Sequence, residues 1–504
     1  MALAVIRDAP SRPLSDYDVT DFAHLPSGYR GLIVEPGYIP RDLSDAVINT
    51  STPLLRYRPD SEKSRIVLSM PVMSAAMQAV SGYRMGIELS RQGGIATIPQ
   101  SQEIDDQVEQ VRNTKRYKGA FVEPEVVAPY TPIERIIERM KHTGYSKFFV
   151  TKDGEQHGTL LGVITDIDFD EKRHAGLLVQ DRMRHFEQLE VAHQEDVGYD
   201  LESANERLME SRHSAMPIIY SDGRLRDVVF RKDVREHRIY ENELIDNKKR
   251  LMVAAAVNTR DYKDRVPALL KAGADVFVID TSQGHTDFVY DTTHFIRQAF
   301  GNVPIIGGNV VTKRGFRFLV EKCDVDAVKI GMGIGSICIT PDQIGVAKGQ
   351  DKAVEDVTAE RDAFFADTGI YYPLIADGGI HSVRDMNIAL AFGADVAMLG
   401  YFLAGVDETP TEVNYKKSPP SKPYWGEGSA RARMFREQRG YNPAFDEGVE
   451  RWAPYVGPLE PYLTTKMKQL KDGMRKAGCR SIDELHRLAT ITTISEQEAK
   501  PIGE

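Results

Sequence analysis

Cysteine is scarce in this chain: three in 504 residues, Cys323, Cys338 and Cys479, far apart and never in C-x-x-C spacing. That excludes a disulfide framework and a cysteine-built zinc site, and it suits a reducing compartment. An excess of basic charge is also missing. Lys and Arg total 64 against 74 Asp and Glu, a formal charge of -10 with a pI near 5.7. With no general basic field, a nucleic-acid scaffold or an anionic membrane surface is a poor partner, and any bound phosphate must be held locally. Long hydrophobic runs are absent as well, and no segment approaches a membrane-spanning length. The N-terminal MALAVIRDAPSRPLSDYD has only a short apolar run before charge and proline, and the C-terminal PIGE carries no sorting signal, so a cytoplasmic protein is expected.

What is present is a rhythm. Short apolar, β-branched runs ending in Gly or Asp recur, most of them followed by stretches of helical length, and they read as parallel strands. They are LSMPVM (68–73), GIATI (94–98), LMVAAAV (251–257), DVFVID (275–280), VPIIGG (303–308), DAVKIG (326–331), PLIADGG (373–379) and DVAMLG (395–400). From the third to the sixth the starts lie about two dozen residues apart, the length of one compact strand-helix unit. LLKAGADVFVID and ALAFGADVAMLG each show a helix closing on Gly before a strand. Eight such units predict an α/β protein built as a (β/α)8 barrel. An open doubly wound sheet is the alternative, weakened by the lack of G-x-G-x-x-G after a first strand.

Between the second and third runs the rhythm breaks. KFFVTKDGEQHGTLLGVITDIDF (147–169) parallels MPIIYSDGRLRDVVFRKDV (216–234): strand, Asp-Gly turn, strand, then an Asp opening a helix. Each copy follows a helix-like stretch, PIERIIERMKHTG or LESANERLMESRH. The pair resembles tandem CBS modules, a Bateman domain, which implies adenine or guanine nucleotide binding. The expected division is 1–122 barrel, 123–237 inserted regulatory pair, and 238–504 barrel with an active-site flap at about 423–450. A structural insertion that binds nothing is the other reading.

In such a barrel the active site lies at the carboxyl ends of the strands, with phosphate held by the loops after strands seven and eight. ADGGI (376–380) puts Asp377 and two glycines at one of those ends, and LGYF (399–402) ends the other. Glycine lets backbone amides approach phosphate oxygens, and Asp377 can accept from ribose hydroxyls. Between them, GMGIGSICIT (331–340) presents Ser336, Cys338 and Thr340 on a tight glycine path. A thiolate there is a strong nucleophile, whereas Cys323 and Cys479 read as small buried hydrophobes.

GMGIGSICIT, SAAMQAVSG (74–82), IDTSQG (279–284), GGNV (307–310), IADGG and YWGEGS (424–429) together strongly resemble the IMP dehydrogenase/GMP reductase family, over nearly the whole chain. The resemblance implies that Cys338 adds to C2 of inosine 5′-monophosphate, that hydride passes to NAD, and that an activated water releases xanthosine monophosphate. It places Ser336, Asp377, Gly379, Gly400 and Tyr424 at the ribose phosphate, and Ser74, Met77, Glu427, Gly428 and Glu447 near the purine. Asp280, Ser282 and Asn309 face the nicotinamide side, with Gly331 and Gly333 beside them. Thr340 positions water and protons, with Glu447 as partner. The family's potassium ion sits on backbone carbonyls, here Gly333, Gly335 and Cys338. A homotetramer is implied, with an octamer through the CBS pair as the larger alternative.

Two parts of the family pattern are missing. The flap base is an Arg followed directly by Tyr, but SARARMFREQRGYNPAFDEGVE offers only Arg439-Gly440-Tyr441, with Arg433 and Arg436 as rivals or all three on a solvated helix. No Glu-Gly-Gly stretch closes the chain to complete the cation site. NADPH-dependent GMP reduction, which needs no water-activating flap, is therefore the competing activity. Asp280-Thr281-Ser282 favours the dehydrogenase. A catalytically silent purine-nucleotide sensor is the third reading, opposed by the intact Cys338, Thr340 and Glu447.

Overall fold

A computed structural model describes residues 28–117, 121–143, 145–171, 173–174, 176–198, 200–211, 213–231, 240, 242–432 and 446–494. Each of the eight expected runs overlaps one strand of a single parallel sheet: β1 (Val72–Ser74), β2 (Thr97–Ile98), β3 (Ala254–Val257), β4 (Val276–Asp280), β5 (Ile305–Val310), β6 (Ala327–Ile330), β7 (Leu374–Asp377) and β8 (Val396–Leu399). Neighbours in the sheet are neighbours in the chain. β8 pairs with β1, and Met73 bridges in parallel to Ile95 just ahead of β2, so the sheet closes into a barrel and the open doubly wound alternative is excluded.

Eight helices follow the strands in turn: α1 (Tyr83–Arg91), α2 (Ile104–Tyr117), α3 (Tyr262–Ala272), α4 (Asp287–Phe300), α5 (Lys313–Arg317), α6 (Gln350–Thr368), α7 (Val383–Ala391) and α8 (Leu459–Lys476). Their ends are written locally. Thr286 caps α4 by accepting from Val289 N, and Ser382 caps α7 in a reciprocal box with Asp385. α3 closes on Gly273 at φ +96°, a left-handed residue that costs glycine nothing.

Barrel strands are buried on both faces, so they read as continuous apolar runs, and period-two alternation decides what points inward. The interior cluster takes Met73, Ala254, Val276, Val278, Ile306, Ala327, Ile375, Val396 and Met398. Leu54, Ile66 and Leu68, from a short antiparallel pair ahead of β1, pack into the same cluster. One step further along β4, β6 and β7 the same alternation brings Asp280, Lys329 and Asp377 inward. The apolar interior therefore ends in a charged layer at the carboxyl end of the barrel.

Residues 126–230 form two β-α-β-β units. The first comprises Val126–Val127, Ile133–Thr143, Lys147–Thr151 and Leu160–Thr165; the second comprises Ala192–His193, Leu201–Glu210, Ala215–Ile219 and Leu225–Phe230. In each, the leading strand pairs in parallel with a hairpin. The two hairpins exchange backbone bonds, Leu160 N to Gly223 O at 3.1 Å and Leu225 N to Gly158 O at 3.0 Å. Phe149, Leu160 and Val163 share an apolar cluster with Ile219, Leu225 and Val228, which joins the units face to face.

Candidate active site

The charged layer is organised around Lys329, whose side chain is 1% exposed. Its ammonium donates to Asp280 Oδ1 at 2.8 Å and to Asp377 Oδ2 at 2.6 Å, and it also reaches Asn309 Oδ1. Asn309 Nδ2 in turn donates to Asp377 Oδ2 at 2.9 Å and to Gly331 O at 2.8 Å. Strands β4 to β7 are thus cross-linked at their carboxyl ends. Burial disfavours the charge on Lys329, but Asp280 and Asp377 outweigh it and hold the ammonium above its ordinary pKa.

Beside this layer lies a cradle with little room for side chains. A Cβ on Gly331 would stand 2.0 Å from Asp377 O, and one on Gly400 would stand 2.9 Å from the Tyr424 hydroxyl. Gly378 and Gly379 run at φ +101° and +74°, conformations that leave backbone amides free to turn toward a ligand. Burial pushes the Tyr424 phenol up to about 12, so it remains a donor at any working pH. Ser336 Oγ is buried close enough to Tyr424 to ease that shift, yet it makes no hydrogen bond of normal geometry. A buried hydroxyl without a partner costs stability unless a ligand completes it, so the donor set here fits an anionic group.

The loop from Gly331 to Thr340 lies over this cradle. Cys338 is half-buried, and its Sγ is 3.3 Å from Thr340 Oγ1. Backbone bonds from Val449 N to Ile337 O (3.0 Å) and from Ile339 N to Glu447 O (2.9 Å) pin the loop to the segment Glu447–Val449. That segment leads into a two-stranded sheet, Ser421–Trp425 with Glu450–Pro454, and Glu427 and Gly428 follow its first strand.

Most of the expected site residues therefore meet, but several do so differently from expectation. Ser74 has no exposed surface, and its hydroxyl is committed to Ser81 Oγ (2.6 Å) and Thr97 N (3.3 Å), so it is not aimed at a purine. Glu427 Oε1 accepts from Gln78 N at 2.7 Å and anchors the loop after β1. Glu447 meets the cysteine loop through its carbonyl rather than as a side-chain partner of Thr340. Met77 lies against Tyr424, whose hydroxyl is 3.8 Å from its Sδ. Ser282 is exposed on the loop after β4. Arg433, Arg436, Arg439 and Tyr441 lie outside the described residues. Cys323 and Cys479 are buried, as expected of structural thiols.

Sequence reasoning missed Lys329 and Gln78. A lysine inside the β-branched run DAVKIG was the available signal, because a charge on a strand buried on both faces needs partners.

The sequence profile described as "IMP dehydrogenase / GMP reductase domain" matches residues 29–501. The chain belongs to this family. Among its relatives, the inosine-5′-monophosphate dehydrogenase of Tritrichomonas foetus is 40% identical over 466 residues, 91% of this chain and 92% of that protein. The Escherichia coli K12 protein of the same name is 33% identical over 440 residues, 85% and 87% of the two chains. Solved family structures similar to this fold include GMP reductase from Trypanosoma brucei with guanosine 5′-monophosphate. It has a TM-score of 0.81 at 28% identity and covers 96% of this chain and 99% of that one. Sequence similarity thus points to dehydrogenases and backbone similarity to a reductase, within one family and one architecture. No described helix is long and apolar enough to cross a membrane.

Proposed function

We propose that the protein oxidises inosine 5′-monophosphate to xanthosine 5′-monophosphate with NAD, a step of guanine nucleotide biosynthesis. The carrying observation is the half-buried Cys338, 3.3 Å from the Thr340 hydroxyl and beside a glycine cradle that holds an unsatisfied Ser336. Ser336, Gly379, Gly400 and Tyr424 take the 5′-phosphate, and Asp377 accepts from the ribose. Met77 and the Glu427-Gly428 turn border the base. Cys338 Sγ bonds to C2 of the hypoxanthine, which makes that carbon tetrahedral and able to release hydride. NAD, held by Asp280, Ser282, Asn309, Gly331 and Gly333, supplies the hydride acceptor. The resulting Cys338 thioimidate is cleaved by water, whose oxygen stays on C2 as the thiol leaves. Thr340, with the Glu447 segment, orders that water, and Arg439 with Tyr441 is assigned as the base.

A potassium ion on the carbonyls of Gly333, Gly335 and Cys338 belongs to the same proposal. Gly335 O already accepts from Cys338 N, and a carbonyl has a second lone pair for an ion. The two β-α-β-β units are read as a CBS pair for ATP or GTP. A cavity of about 400 Å³ between them is lined by Lys147, Arg184 and His213, suited to phosphates, and by Thr165 and Asp166, suited to a ribose. The assembly is proposed as a homotetramer in the cytoplasm, with an octamer through the CBS pair as the larger alternative.

GMP reduction with NADPH is the second reading, favoured by the T. brucei structural likeness and the missing Arg-Tyr pair. Two incubations separate them: inosine monophosphate with NAD, followed by NADH absorbance, and guanosine monophosphate with NADPH, followed by its loss. NADPH oxidation without NADH production overturns the dehydrogenase.

A further inference from the structure

Lys329 has no part in the chemistry above, yet it is the most deeply buried cation of the site and touches both of its halves. Asp377 is the ribose acceptor and Asp280 the dinucleotide-side acceptor, and each gives one oxygen to the same ammonium. Their side chains stay 22% and 23% exposed, so each carboxylate is anchored on one edge and open on the other. We propose that Lys329 is a positioning residue that couples the mononucleotide half of the site to the dinucleotide half, orienting both acceptors through a single shared charge. This rests on the binding roles proposed for Asp280 and Asp377.

The physical reason is charge balance in a buried layer. Two carboxylates facing one small volume repel, and without a cation between them neither is held in place. The ammonium holds each carboxylate by a charge-assisted hydrogen bond, and such bonds are about twice as strong as neutral ones. The third partner of the ammonium, Asn309, is neutral. Loss of the ammonium therefore damages two ligand contacts at once, while leaving Cys338, which it does not touch, in place.

The test uses the full-length enzyme with Lys329→Met, Lys329→Gln and Lys329→Arg. For Met and Gln, the KM values for the nucleotide and for the dinucleotide are expected to rise together, each about tenfold or more, while kcat falls much less. That factor corresponds to about 1.4 kcal/mol per ligand. Lys329→Arg, whose fork can serve two carboxylates, restores both KM values to within a few-fold. A merely structural lysine would instead lower the active fraction, and so kcat, with both KM values unchanged. That result, or a rise in one KM alone, overturns the coupling role. If Lys329→Met does not fold, the polar Gln variant carries the same expectation. Wild-type turnover with IMP and NAD tests the reading beneath. If only GMP and NADPH turn over, that reading fails, and the same KM comparison is made with that pair.

Discussion

Cys338 Sγ lies 3.3 Å from Thr340 Oγ1, and the residues flanking the cysteine, Ile337 and Ile339, are both tied by backbone bonds to the segment Glu447–Val449. The Cys338 thiol and the hydroxyl beside it are therefore held by one loop, and that loop is braced by Glu447–Val449.

Cys338→Ala should abolish NADH production, by on the order of 10³-fold or more, because no other group replaces a lost covalent nucleophile. Thr340→Val, which keeps shape and removes the hydroxyl, should cost about 10²-fold, in the range of one general acid–base contact. If hydrolysis is the step Thr340 serves, intact-mass measurement of the Val variant during turnover will show the Cys338 adduct accumulating. Turnover surviving in the Ala variant would end the covalent mechanism.

Thiol chemistry should single out the same residue. Burial pushes the thiols of Cys323 and Cys479 up to about 11, far from the thiolate at neutral pH, whereas Cys338 is half-buried on the glycine loop. Iodoacetamide at pH 7.5 is expected to add one equivalent to the native enzyme, with peptide mapping placing it on Cys338. Saturating inosine monophosphate should slow the reaction. Equal labelling of Cys323 or Cys479 in folded protein contradicts this.

Binding contacts at the cradle are separable from chemistry. Tyr424→Phe removes a donor whose elevated pKa keeps it protonated, and Ser336→Ala removes the unsatisfied hydroxyl. Each is expected to raise KM for the mononucleotide about tenfold or more, as hydrogen bonds to charged groups are worth about 1.5–3 kcal/mol. KM for the dinucleotide should move little. The Ser336 variant should fold at least as stably as wild type, since it deletes a buried polar atom that has no partner of normal geometry, and thermal melting checks this.

All eight barrel strands were legible because a strand buried on both faces is written as a short β-branched run, and its helix announces its own end with Gly273 or Gly393. Gly331 was legible as a position where backbone must pass close to backbone, and Gly378 and Gly379 as positions of left-handed backbone. Side-chain direction was not. Ser74 sits in the expected motif, but the turn after β1 brings Ser81 back onto it, and a seven-residue separation leaves no periodic signature. Lys329 was hidden differently: its partners Asp280, Asn309 and Asp377 come from three other strands, and only closure of the barrel makes them neighbours. The brace between Glu427 and Gln78 spans 349 residues and has the same origin.

His486 offers a pH test of the fold remote from the chemistry. It follows α8 on a short helix, Ile482–Leu488, and its Nε2 lies 2.9 Å from Ala394 O, at the start of β8. Burial lowers its pKa below the usual 6.5, with the Arg361 guanidinium adding to the effect and Asp395 opposing it. Because the folded pKa is the lower one, the unfolded chain binds a proton below pH 6.5 that the native state refuses. Stability is thus present in full above about pH 6.5 and is lost as pH falls toward the depressed folded value. The slope from this one group is at most about 1.4 kcal/mol per pH unit. Thermal melts from pH 8 to 5 should therefore show Tm falling below pH 6.5. His486→Gln, which keeps a donor for Ala394 but cannot titrate, should melt with a visibly flatter profile over that window. An identical acid slope in the Gln variant would assign the loss to other groups.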